Sequence, residues 1–332
     1  MSNKRFRVLI FALLCWSQLL YSAASSLSFN LRQLTPNYTE SNQFLPTAYL
    51  FAHGLGATYN QGTSLFTRIR CVQPDGSIVC NKHWVMDDPI ALFNFHDAKN
   101  DQNEYYKEQV NLGQQKDMAR LHEAIQTARE KLPGHQLVLG GISRGAVVCL
   151  NVLGLYQPDG VAALVLESPF DSFKNIINHL IKRFGMSWVP FSEKIGFKIA
   201  RSHFPELDLE GISPIKTVPY LPYNVPILIV HSKKDKVIPV KCSRKLYIKL
   251  RQSGHHHVYL FELHNGAHGK LMNGPDAIHY QNIVHAFYKK YNLPYHEPFA
   301  RDGEHLLLLS QPTIQDVKLR NHRSLELEGI ED

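Results

Sequence analysis

Six short stretches of this chain are apolar without alternation: Ala48–Gly54 (AYLFAHG), Ile90–His96 (IALFNFH), Gln136–Ile142 (QLVLGGI), Val161–Ser168 (VAALVLES), Val225–Ser232 (VPILIVHS) and Val258–His264 (VYLFELH). A strand with one wet face alternates polar and apolar residues. A strand that is apolar throughout is covered on both faces, the signature of a parallel sheet between helices. The intervening segments supply those helices. In NLGQQKDMARLHEAIQTAREKL, Met118, Leu121, Ile125 and Ala128 fall three or four apart, and Pro133-Gly134 stops the run. RGAVVCLNVLGLY and PDAIHYQNIVHAFYKKY read the same way. Strand alternating with helix predicts a doubly wound α/β fold, and 44% hydrophobic residues in 332 are enough to fill its core.

The rhythm breaks once. From Phe170 to Tyr223 no strand-like run occurs, while Ile176, Ile177, Leu180, Ile181 and Phe184 mark an amphipathic helix. This predicts a helical insertion over about 171–223. Its aromatics Phe184, Trp188, Phe191 and Phe197 either line an apolar pocket or form the core face of that insertion. Residues 296–332, with their LLLLS run and mixed-charge end, form an extension to which the sequence assigns no role.

The first 24 residues differ from the rest. MSNKRFR is basic, VLIFALLCWSQLL is apolar and YSAASS is small, the three regions of a secretory signal peptide cut after Ala24. The apolar run is short for a membrane span, and an uncleaved amphipathic anchor is the alternative. Leu13-Leu14 before Cys15 lacks the small residue that lipoprotein processing needs. The expected mature domain covers 25–295, in a secreted or periplasmic protein. Losing Lys4, Arg5 and Arg7 takes the formal charge from +7 to +4. No basic run with interleaved aromatics remains to suggest a nucleic-acid partner. In an oxidising compartment Cys71 and Cys80, flanking the turn signal Pro74-Asp75-Gly76, are candidates to bridge a hairpin, with two free thiols as the other reading. No Cys-x-x-Cys pair points to a redox or zinc site, and neither metal nor cofactor is expected.

The chemistry sits at the end of the third apolar run. Gly141-Ile142-Ser143-Arg144-Gly145 matches G-x-S-x-G between a predicted strand and a predicted helix. A serine on so sharp a turn is lifted above the sheet, and its neighbours two before and two after pack too closely for side chains. Both are glycine. The following helix points its N-terminus at the serine, where negative charge can be stabilised. A serine nucleophile needs a base and the base an orienting acid. In this topology they follow in the order acid, then histidine, each past a strand. VPILIVHSKKDKVIPV offers Asp235, and FELHNGAHGK offers His268 in a glycine-rich loop. Asp171, also past a strand, is the alternative acid. Among 18 histidines, His264 is the closest rival to His268, and His255, His256 and His257 read as a polar turn. For the oxyanion, Arg144 N–H follows the nucleophile, and the His53-Gly54-Leu55-Gly56 loop supplies Leu55 N–H.

Four motifs in order, HGLGAT, GGISRGA, HSKKDKVIP and GAHG, resemble the α/β-hydrolase superfamily, most of all its serine-aminopeptidase-like and monoacylglycerol-lipase-like branch. The resemblance spans Ala48 to Tyr291. It implies an eight-stranded, mostly parallel sheet, a lid between the sixth and seventh strands, and a triad of Ser143, Asp235 and His268. Arg144 is a departure, a charge where this branch more often has none; it meets either a local acid or an anionic substrate. The expected activity is lipase-, esterase- or thioesterase-like hydrolysis of carboxylic esters through an acyl-enzyme on Ser143. A peptidase or amidase on the same triad is the alternative, for which Glu193, Glu206, Asp208 and Glu210 are candidate amine-holding acids. A binding protein on a hydrolase scaffold is a third reading, weakened by the intact triad.

Overall fold

A computed structural model describes residues 44–58 and 110–328 apart from 187, together with residue 61 and the short stretches 30–32, 69–72, 78–81 and 90–95. The expected signal segment, residues 1–24, lies outside the described residues. The chain begins with β1 (Asn30–Arg32), β2 (Thr47–Ala52), a hairpin of β3 (Ile69–Val72) and β4 (Ile78–Asn81), and β5 (Ile90–Leu92). Helix and strand then alternate through α1 (Gln115–Lys131), β6 (Gln136–Ile142), α2 (Arg144–Leu155) and β7 (Val161–Glu167). The insertion follows, with α3 (Phe173–Arg183), α4 (Ser192–His203) and the short α5 (Pro214–Thr217). The chain continues through β8 (Ile227–Ser232), α6 (Lys241–Gln252), β9 (Val258–Leu263) and α7 (Ala277–Lys290) to α8 (Glu297–Leu309) and α9 (Ile314–Glu328).

Among the described residues the main sheet has seven strands, in the order β1-β5-β2-β6-β7-β8-β9, against the eight implied by the resemblance. The six apolar runs all become strands of this sheet, and they pair in parallel. Only β1, a three-residue strand too short to carry a pattern, runs antiparallel, on β5. Successive side chains of each strand enter opposite layers. Leu50, Leu139, Leu164 and Ile229 pack with Leu121 and Leu150 on one face; Tyr49, Phe51, Val138 and Val230 pack with Ile283 and Phe287 on the other. Each such side chain, fully buried, contributes roughly 1.5–3 kcal/mol. In α1 the apolar stripe is as predicted, with Met118, Leu121, Ile125 and Ala128 buried and Arg129 and Lys131 in the last turn.

The β3–β4 hairpin forms about the predicted turn. Its register sets Cys71 opposite Val79 and Cys80 opposite Arg70, so the two cysteines are not a directly opposed pair. Helices α8 and α9 account for most of the C-terminal extension. Gly303 of α8 lies so close to α7 that a Cβ there would sit 2.0 Å from the Asn282 carbonyl oxygen. The loop between α8 and α9 returns to the sheet edge, where the Ser310 carbonyl accepts from Leu260 N–H of β9 at 2.7 Å.

The sheet order fixes where a site can be. Chain progress moves one way from β2 to β5 and the other way from β2 to β6, so the crevice beyond the carboxyl ends of β2 and β6 is the switch point of the sheet. The HGLG loop follows β2 and Ser143 follows β6.

Candidate active site

Ser143 stands between β6 and α2 with φ 56° and ψ −115°, a conformation that costs an L-residue free energy and marks a strained turn. Two bonds hold it: its N–H donates to the Glu167 carbonyl at 2.8 Å, and its carbonyl accepts from Val147 N–H at 3.1 Å. The flanking glycines are demanded by space. A Cβ on Gly145 would lie 1.9 Å from the Ala52 carbonyl oxygen, and one on Gly141 would lie 2.6 Å from Ala146 N. The turn is therefore clamped against β2 and α2, and no side chain fits at either position.

His268 bridges the other two members of the predicted triad. Its Nε2 is 3.0 Å from Ser143 Oγ and its Nδ1 is 2.7 Å from Asp235 Oδ2. The carboxylate accepts from Nδ1–H, so Nε2 is left with its lone pair toward the serine hydroxyl. The other oxygen, Oδ1, accepts from Val237 N–H at 2.8 Å and Ile238 N–H at 3.0 Å. Burial alone pushes the Asp235 carboxyl up. The facing charge of His268 and hydrogen bonds from His231 and His268 outweigh it and hold the group well below the usual carboxylate range. His231, which the sequence did not single out, is fully buried behind the acid, with Nε2 3.4 Å from Asp235 Oδ2 and Nδ1 2.7 Å from Ser243 Oγ. The loop carrying His268 is pinned at its start, where Asn265 N–H donates to Asp276 Oδ2 at 2.7 Å.

The rivals lie elsewhere. Asp171 is buried beside Asn175 Nδ2, with Lys245 Nζ 3.7 Å away, and it is Asp235 that reaches His268. His264 is exposed. Of the expected polar turn, His256 and His257 are exposed, His257 leaning on the Tyr291 hydroxyl, but His255 is buried against Tyr223.

The His53–Gly56 loop abuts Ser143: a Cβ on Gly54 would lie 3.7 Å from Ser143 Cβ. His53 orients this loop, a role beyond its place in the motif. Phe95 N–H donates to His53 Nε2 at 3.1 Å, so the proton sits on Nδ1 and is donated to the Gly54 carbonyl at 2.8 Å. That carbonyl and Leu55 N–H belong to one planar trans peptide and point in opposite directions. Anchoring the oxygen therefore aims the N–H. Burial, helped by the Arg144 charge, lowers the His53 pKa to about 3, so the ring stays neutral and keeps this hydrogen-bond pattern. Gln61 Oε1 accepts from Gly54 N–H at 2.8 Å, and Gly56 completes the turn with φ 67°.

Arg144 meets a local acid. Its guanidinium is 1% exposed and lies 4.2 Å from the centre of the Phe95 ring. Nε donates to Asp117 Oδ2 at 2.8 Å and Nη2 to Asp117 Oδ1 at 2.5 Å, while Gly113 N–H donates to the same Oδ2 at 2.6 Å. The side chain points away from the site while its N–H stays at the head of α2. A second unforeseen group is Glu167, at the end of β7 and 1% exposed. Burial raises its pKa to about 7 against the opposing pull of His268, with Leu271 N–H and the Tyr280 hydroxyl also in reach.

Helices α3 and α4 cover part of the site's rim. Phe173, Ile176, Ile177 and Ile181 join a cluster that includes Ile238 and has Leu55 packed against it. Phe184 and Phe197 pack there too, but Trp188 and Phe191 stand out into solvent, 63% and 72% exposed. The four aromatics thus neither line one pocket nor form one core face.

Comparison with known proteins agrees with this architecture. The prolyl oligopeptidase family matches residues 103–293. The uncharacterized protein YfhR of Escherichia coli K12 is 33% identical over 119 residues, 36% of this chain and 34% of that protein, so the chain spans about a third of the length of the curated relatives it matches. Among solved structures, the Pyrococcus furiosus esterase Pf2001 superposes with a TM-score of 0.52 at 14% identity over 74% of this chain and 82% of that one. A Pyrococcus horikoshii acylaminoacyl peptidase gives 0.52 at 16% identity over 87% of this chain and 43% of that one. Both likenesses are of fold, and both are α/β-hydrolases. The matched stretch contains Ser143, Asp235 and His268, and the chain belongs to the prolyl oligopeptidase family.

Proposed function

We propose that the protein is a serine hydrolase that cleaves carboxylic esters through an acyl-enzyme on Ser143. The observation that carries the reading is His268, hydrogen-bonded at once to Ser143 Oγ and to Asp235. Ser143 Oγ attacks the acyl carbonyl while His268 Nε2 takes its proton, then returns it to the leaving alcohol. Leu55 and Arg144 N–H groups receive the developing oxyanion. Water repeats the sequence in reverse and frees the acid. Every step uses groups of this chain, and none needs a metal or cofactor. The signal-like first 24 residues support action outside the cytoplasm.

The test is labelling of the folded protein with a fluorophosphonate beside Ser143→Ala and His268→Ala, followed by turnover of p-nitrophenyl esters of graded acyl length. Labelling and turnover are expected in the parent and lost in both variants, turnover by about 10⁴-fold or more. An unlabelled but folded parent overturns the reading.

A peptidase or amidase is the second reading, favoured by the family to which the chain belongs. The candidate amine-holding acids give it little support. Glu193 is paired with Lys174 at 2.9 Å and Glu206 with Lys116 at 2.5 Å. Hydrolysis of aminoacyl amides without hydrolysis of simple esters would select it.

A further inference from the structure

The two helices of the insertion form a hairpin whose tip is unlike the rest of the surface. Gly196 of α4 lets the helices approach until a Cβ there would lie 2.8 Å from Ile177 Cγ2, and Lys174 pairs with Glu193 across them. The hairpin is thus firmly packed, yet its connecting turn presents Trp188, Pro190 and Phe191 to solvent, the two rings 63% and 72% exposed. Phe191 has φ 58°, a left-handed conformation that costs a bulky residue free energy and leaves its ring outward.

Cations surround this tip. Lys182 and Arg183 end α3; Lys194 and Lys198 lie on the first turns of α4; all four are exposed, and Lys194 Nζ is 5.4 Å from the Phe191 ring centre. Between Ser172 and His203 the chain carries six Lys and Arg against the single acid Glu193, in a protein of formal net charge +7. The band continues onto the rim of the site, because Arg183 Nη1 donates to the carbonyl of Lys236, in the loop that holds Asp235 and exposes Lys233, Lys234 and Lys236.

We propose that this tip docks the protein onto an anionic lipid surface, with Trp188 and Phe191 entering the interface and the surrounding lysines facing the headgroups. Trp and Phe on a narrow projection gain free energy at a water–hydrocarbon boundary. Long, mobile lysines match a diffuse sheet of negative charge. Docking at the tip sets the rim of the site, through Leu55 and the Asp235 loop, against the lipid surface.

The test uses the full chain and vesicles of phosphatidylcholine, with and without one-third phosphatidylglycerol, at low and high salt. Three variants are compared with the parent after circular dichroism shows an unchanged fold: Trp188→Ala/Phe191→Ala, Lys182→Glu/Lys194→Glu/Lys198→Glu, and the control Leu308→Ala/Leu309→Ala, which removes leucines 75% and 71% exposed on α8. The apolar segment near the N-terminus is common to all and cancels. The parent should partition onto the anionic vesicles far better than onto neutral ones, with a blue shift in tryptophan emission that a fourth variant, Trp188→Phe, reduces. The aromatic variant should lose at least about tenfold in partitioning and the charge-reversal variant about a hundredfold, with the control unchanged. Equal partitioning of parent and aromatic variant overturns the proposal, as does indifference to headgroup charge. A parent dimer in solution that the aromatic variant dissociates also overturns it, because a second copy then covers the tip. None of these readouts depends on esterase activity.

Discussion

The pair formed by Arg144 and Asp117 is the most exacting test of how the nucleophile turn is held. Both residues are 1% exposed, and the guanidinium meets the carboxylate through two hydrogen bonds of 2.8 and 2.5 Å. Asp117→Asn keeps an acceptor for Gly113 N–H and removes the carboxylate that faces the buried guanidinium in two hydrogen bonds. Breaking one partner of such a pair costs about 3–5 kcal/mol, and the retained amide oxygen puts this variant at the lower end, about 3 kcal/mol. Against a total stability of about 5–15 kcal/mol, that lowers Tm by roughly 5 °C in a chain of this length. Arg144→Met leaves a buried carboxylate and should cost a similar amount. The double variant Asp117→Asn/Arg144→Met removes both charges and should be more stable than either single one, because neither half of the pair is left as a buried ion. Thermal and urea unfolding followed by circular dichroism measure all four proteins. If the esterase reading is right, the double variant keeps kcat/KM within about tenfold of the parent, since the oxyanion donor at this position is a backbone N–H. A loss below about 1 kcal/mol in Asp117→Asn, or a double variant no more stable than the singles, would refute the account of the pair.

Two further outcomes follow from the same region. Gly145→Ala places a methyl group 1.9 Å from the Ala52 carbonyl oxygen and 2.9 Å from that of His53. Both neighbours are backbone, so strand β2 or the turn must move, and the variant should lose more than about 3 kcal/mol or fail to yield soluble protein; parental Tm would contradict the clamp. Glu167, raised by burial from 4.5 to about 7, holds a proton in the folded state that the unfolded chain releases. Its contribution is therefore fully present below pH 4.5 and is lost as the pH rises through about 7. Unfolding free energy should fall by about 3 kcal/mol across that window. Glu167→Gln, neutral throughout, should flatten the profile; an unchanged slope in the variant would assign it to other groups.

Much of this architecture is legible in the sequence, because two local signals report it directly. Continuous apolar runs name the parallel strands, and glycine spacing around Ser143 names a turn whose crowding is backbone against backbone. Asp235 and His268 are found by their order after strands, a property of the chain and not of distance. The groups that position them are not found this way. Arg144 and Asp117 are 27 residues apart, and nothing in either segment announces the other. His231 and Glu167 sit at ends of apolar runs, where a polar residue reads as the start of a loop. His53 shows the opposite case: its motif is plain, but its role depends on Phe95 N–H, 42 residues away, which fixes its tautomer. The exposure of Trp188 and Phe191 was hidden for a similar reason. Hydrophobic spacing identifies an amphipathic helix, but only the packed hairpin shows which aromatics lie past its end.

The return of the C-terminal segment to β9 has a consequence for solubility. Among the described residues strand β9 ends the sheet, and an end strand offers an unpaired row of N–H and C=O groups to any passing chain. Here Ser310 takes the Leu260 N–H, Gln311 reaches the carbonyls of His256 and Val258, and the Tyr247 hydroxyl grips the Pro312 carbonyl. The last helices thus act as a guard rail on an edge that the hydrolase sheet leaves open. A chain stopped before them would gain a sticky seam, along which copies could add strand to strand.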